Sequence, residues 1–160
     1  MSTSQATTAT AAPAHTIMQT GLRVGAVLLV IEIVHGIISI TPPPMAVNAI
    51  FFLVALVLLI FAGMRAASVT GKIGSGSLAG LLAGALLGLG YAVGTTIGTI
   101  TNFATVRGVY QSAALSAHIP YSDQLVVAGT VVSIVLAWLV SLAAGAVCGA
   151  VGGIIGRRRG

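Results

Sequence analysis

Charge is what this sequence has least of. Two acids and seven Lys and Arg are spread over 160 residues, so charged side chains make up 6% of the chain. A soluble domain carries roughly 25%. A chain this short of polar surface cannot stay dissolved as an ordinary globular enzyme, a nucleic-acid-binding domain or a disordered protein. Its one cysteine, Cys148, excludes an intrachain disulfide and leaves the redox compartment open. No nucleophile–base–orienter set is visible, so no enzyme is expected. The chain shows no metal site and calls for no cofactor, since His15 and His118 are expected on opposite sides of a membrane.

Apolar and small residues are abundant instead. The chain is 57% hydrophobic with 21 glycines, and its mean hydropathy is +1.10. The class that remains is an all-α integral membrane protein, one bundle with no room for a second domain. Four apolar stretches predict spans over residues 22–40, 46–64, 78–100 and 125–155, since about 20 helical residues cross about 30 Å of hydrocarbon. The alternating segments of about ten residues that a membrane barrel needs do not occur. Residues 1–20, rich in Ser, Thr and Ala, are expected to be a disordered tail. The bundle then covers 21–156, and 157–160 form a basic terminus.

The net charge of +5 reflects topology rather than a nucleic-acid partner. Arg23, Arg65, Lys72, Arg107, Arg157, Arg158 and Arg159 all stand at or beyond the ends of apolar runs. With the N-terminus inside, only Arg107 falls outside. Basic residues favour the cytoplasmic side, so both termini are predicted cytoplasmic, in a plasma (inner) membrane. The terminal arginine triplet is shorter than the clusters of about four to eight basic residues that bind lipid headgroups.

The connections differ in chemistry. Thr41-Pro42-Pro43-Pro44-Met45 predicts an extended link. Residues 71–77 predict a flexible linker, with Ser77 capping the third span. Residues 102–124 form the longest loop, with Ser122 or Asp123 as the next cap. Within it Phe103, Val106, Tyr110, Ala113, Ala114 and Ala117 recur at helical spacing, which predicts an interfacial helix.

In lipid, helices associate through close packing of small residues. The third span carries Gly80, Gly84 and Gly88, then Gly90, Gly94 and Gly98, within one arc that Tyr91 and Thr95 share. Leu82, Leu86, Leu89, Val93 and Ile100 lie opposite and are expected to face lipid. The fourth span has a matching stripe of Thr130, Ser133, Ala137, Ser141, Ala144, Gly145, Cys148, Gly149 and Gly152. These Gly-rich faces pack either within one subunit or between subunits. The second span has no polar stripe beyond Asn48, which predicts a peripheral, lipid-facing helix.

One residue breaks the pattern. Glu32 lies ten residues into the first span, about 15 Å from its start, near the expected midplane. A charge there costs from about 2.5 to more than 10 kcal/mol. His35 follows at i+3, where it reaches the same face, and Gly21, Gly25, Gly36 and Ser39 share that face. Depth counting along antiparallel spans brings Tyr91 and residues 133–141, from Ser133 to Ser141, near Glu32. Thr95 and Thr130 come near His35. The pair either fixes helix register as a neutral or ion-paired unit, or takes up a proton or a cation.

Four spans with a lone acid in the first resemble the small multidrug resistance transporters. That resemblance implies a dimer in which the acid exchanges protons for a cationic drug. It extends to span count and Glu32; the family's pocket aromatics have no counterparts here, and the loop over 102–124 is longer. The residues themselves lead to a small multi-pass membrane protein acting as a packing or accessory component of a membrane assembly. The alternative is a proton- or cation-coupled transporter or channel built on Glu32 with His35. Expected partners are the lipid bilayer and a homo-oligomer or larger membrane complex.

Overall fold

A computed structural model describes residues 11–38 and 45–158. They form five helices: α1 (Ala11–Ile38), α2 (Met45–Thr70), α3 (Ile73–Thr101), α4 (Phe103–Ser116) and α5 (Asp123–Arg157). Four of them, α1, α2, α3 and α5, are long and apolar enough to cross a membrane. The fifth, α4, occupies the long loop at the helical spacing seen there. The proline link at 41–44, Ser39, residues 1–10 and Arg159 lie outside the described residues.

Two boundaries differ from the expected ones, both because composition near a helix end was taken for disorder. The helix of the first span begins at Ala11, so only the first half of the expected tail is left. Ala, Gln and His prolong a helix once it is nucleated, and Thr20 returns its hydroxyl proton to the Thr16 carbonyl at 2.8 Å. The expected linker at 71–77 shrinks to Gly71 and Lys72. Gly71, at φ +68°, closes α2 in the left-handed conformation, and its amide donates to the Ala67 carbonyl at 2.8 Å. Glycine suits that position because it has no Cβ to clash.

Ser77 consequently lies inside α3 and caps nothing. Its hydroxyl donates to the Ala146 carbonyl of α5 at 3.1 Å. Small residues that suggest a flexible linker are here small because a second helix lies against them: a Cβ at Gly76 would meet the Gly149 carbonyl oxygen at 2.7 Å. At the other end Ser122 occupies the N-cap position of α5 but makes no side-chain capping bond.

Helix α3 lies between α1 and α5, which do not touch each other. It runs parallel to α1, since Gly21, Gly25 and Gly36 of α1 meet Ala79, Ala83 and Gly94 in order. It runs antiparallel to α5: Gly80 faces Gly145 and Gly149, and Gly84 faces Ser141 and Gly145. Leu82 and Leu86, expected to face lipid, instead pack on Gly21 and Gly25 of α1, because the glycines there leave room for them. Leu89, Val93 and Ile100 are exposed.

The expected peripheral character of the second span is corrected too. One side of α2, with Ala55, Leu59, Ala62, Gly63, Ala66 and Ala67, is buried. It packs on α5, where Gly63 meets Gly149 and Gly152 meets Ile60. Alanine is apolar enough to pass for a lipid-facing residue, yet its small size lets two backbones approach. Leu28, Ala55, Leu59, Ala62 and Ala83 form the core where α1, α2 and α3 meet.

Candidate functional site

Glu32 is held by glycines on the neighbouring helix. A Cβ at Gly90 would meet the Leu29 carbonyl oxygen at 2.5 Å and the Glu32 Cβ at 3.1 Å, and one at Gly94 the Ile33 carbonyl oxygen at 2.7 Å. The two backbones therefore run close together at Glu32, which is only 8% exposed. Its level on α3, between Gly90 and Gly94, lies about 5–10 Å beyond the middle of that helix. The acid thus stands somewhat to the C-terminal side of the α3 middle, still closer to the middle than to the helix end.

His35 joins the acid to α2. Its Nδ1 lies 3.2 Å from Glu32 Oε2, and its Nε2 lies 3.0 Å from Asn48 Oδ1. The Phe51 ring stacks on the imidazole with centroids 4.4 Å apart and 18° between planes. Beside this chain of polar groups opens a cleft of about 370 Å³, bounded by α1, α2, α3 and α5. Glu32, His35, Asn48, Tyr91 and Ser141 are its polar lining, and Phe52, Leu56, Leu59, Leu87 and Val140 give it apolar walls.

Of the polar residues expected near the pair, Tyr91 and Ser141 line this cleft, whereas Thr95, Thr130 and Ser133 do not. Thr95 lies behind it, its backbone nitrogen 2.8 Å from where a Cβ of Gly36 would be. Thr130 lines a separate groove between α3 and α5 with Thr96 and Thr99. The Ser133 hydroxyl returns to the Thr130 carbonyl at 2.8 Å. The backbone of α3 stands between those of α1 and α5, so only the α5 residues that face the cleft, among them Ser141, come to the side of Glu32. The partners that went unrecognised, Asn48, Phe51 and Phe52, are all on α2. Asn48 is the only amide side chain in that helix, and asking what meets the second nitrogen of His35 would have singled it out.

The chemistry follows from the donor inventory. An imidazole with oxygen acceptors at both nitrogens donates from both as an imidazolium, balancing the Glu32 carboxylate. Turning the Asn48 amide over would set its NH₂ against Nε2 and suit the neutral ring instead. The geometry is therefore compatible with either hydrogen-bonding pattern of the His35 ring.

No family model matches the chain, nor does any curated protein or solved structure. Fold and site together define a class: among the described residues, an all-helical protein with four helices able to cross a membrane and a buried acid paired with a half-buried imidazole.

Proposed function

We propose that this chain is a small multi-pass membrane protein that takes up and releases a proton or a small cation at Glu32 and His35. Helices α1, α2, α3 and α5 cross the plasma membrane, with both termini cytoplasmic. The observation that carries the reading is the buried Glu32 carboxylate, linked through His35 to Asn48 beside an apolar cleft. Intramembrane acids are costly, and they are functional candidates by default. A purely structural ion pair does not need an open cleft next to it.

Gly80, Gly84 and Gly88 pack on α5 about Gly145 and Gly149, whereas Gly90 and Gly94 pack on α1, and Gly98 is buried further along α3. An assembly with further copies or other proteins must therefore use another surface. The packing or accessory role suggested by composition is the outcome left if the site moves no charge.

The test is flux in liposomes. An imposed pH or cation gradient should dissipate faster through the reconstituted protein than through empty vesicles. Glu32→Gln should assemble normally, because an amide still hydrogen-bonds, yet lose that flux because it cannot titrate. Flux unchanged in the variant, or absent in the unaltered protein, overturns the transport reading in favour of the accessory one.

A further inference from the structure

The fold gathers cations that the sequence scatters. Arg65, Lys72, Arg157 and Arg158 come from three separate stretches of chain, and the terminal triplet alone is too short to suggest a headgroup site. Backbone contacts bring them to one end of the bundle. Gly156 of α5 packs on the Met64 carbonyl of α2, which sets Arg157 beside Arg65. Gly153 meets Ile73, with 2.9 Å between its Cβ position and the Ile73 carbonyl oxygen, which brings Lys72 to the same end. All four side chains are exposed.

These cations have no acid near them. The chain contains two acidic side chains. Glu32 is bonded to His35 far along α1, and Asp123 pairs with Arg107 at the opposite end of the bundle. Neither acidic side chain supplies a counter-charge at this end, which leaves the four cations available to an anionic group. Inward of Lys72 and Arg157 along α3 and α5 the surface is apolar, with Leu78 and Ile154 each 46% exposed or more. An anionic head above an aliphatic surface matches a phospholipid lying alongside the helices.

We propose that the end of the bundle bearing Arg65, Lys72, Arg157 and Arg158 binds the headgroups of net-anionic phospholipids. Each cation near such a surface contributes independently to attraction, and the glycine contacts hold the four close enough to act on one or two lipids. Arg and Lys serve alike as charges here, so Arg→Lys changes at these positions preserve the site.

The test reconstitutes the protein in phosphatidylcholine vesicles with a trace of spin-labelled lipid and measures the motionally restricted fraction. Labelled phosphatidylglycerol should associate about fivefold more strongly than labelled phosphatidylcholine. The combined change Arg65→Gln, Arg157→Gln and Arg158→Gln should cut the preference to about twofold or less, Lys72 being retained, while Arg107→Gln at the far end leaves the preference intact. Because both leaflets contain the probe, an altered orientation does not affect the readout. Equal association of the two lipids with the unaltered protein, or a preference undiminished by the triple change, overturns the proposal. If the triple variant does not fold, Lys72→Gln alone, in the link between α2 and α3, should still weaken the preference; no change there also overturns it.

Discussion

At Gly80 a methyl group has nowhere to go. Its Cβ would run into the Gly145 carbonyl oxygen and sit 2.7 Å from Gly149 Cα, both backbone atoms that cannot swing aside. At Gly108 nothing lies within 4 Å. The same substitution should therefore have opposite signs at the two positions. Gly108→Ala, inside α4, should stabilise by about 0.5–1 kcal/mol through helix propensity. Gly80→Ala should destabilise by about 1–3 kcal/mol as α3 and α5 are forced apart. Thermal unfolding in detergent, followed by circular dichroism, should move the midpoint up for one and down for the other; equal shifts would mean that the close approach does not carry stability. The site shows the same dependence on single residues. Glu32 and His35 were legible because a charge in an apolar run is conspicuous and i+3 spacing fixes their common face. Asn48 was not, because its role depends on which helix lies opposite, and no local pattern states that.

Helix α4 shows how an element outside the apolar bundle is attached. Its Tyr110 lies on Gly129 of α5, where a Cβ would collide with the phenol, and Ala114 is buried beneath it. A polar cluster adds to this: Arg107 Nε lies 3.3 Å from Asp123 Oδ1, and the Tyr121 hydroxyl donates to the same oxygen at 2.6 Å. The ion pair is about half exposed, so it contributes at most about 1 kcal/mol. Partial burial, and then the hydrogen bond and charge of Asp123, raise the Tyr121 phenol above its ordinary 10.0, partly offset by Arg107. A raised value means that the neutral phenol is favoured in the fold. Its contribution is present below the ordinary value and is lost as pH rises through the higher one. Phenolate absorbance should show a component titrating above 10.0 that disappears in Tyr121→Phe and moves down in Asp123→Asn; an unmoved component in Asp123→Asn would remove Asp123 as a cause. Periodicity made this helix legible, and apolar runs made the four long ones legible. The start of α1 and the first turn of α3 were not, because Ala-, Ser- and Gly-rich stretches look the same whether solvated or packed on another backbone.

For the whole molecule the open question is which way it faces, and the charges answer it through their positions. Arg65, Lys72, Arg157 and Arg158 share one end, while Arg107 stands at the other, already paired with Asp123. Basic residues close to span ends are retained on the cytoplasmic side, so the four-cation end is expected inside. Glu32, beyond the middle of α3 towards the other end, then lies closer to the outer surface, and its cleft would receive protons or cations from outside. Both expectations rest on one arrangement: α1 and α3 run side by side in one direction, and α5 returns antiparallel to them. A direct check uses a Cys148→Ala background with a single new cysteine at Lys72 or at Ser112, both exposed. An impermeant thiol reagent added to intact cells should label Ser112→Cys and spare Lys72→Cys until the membrane is opened. The reverse pattern would invert the protein and turn Glu32 towards the cytoplasm. Labelling of both from outside would mean that the two ends are not on opposite sides of one bilayer, and the four-span arrangement would fall with it.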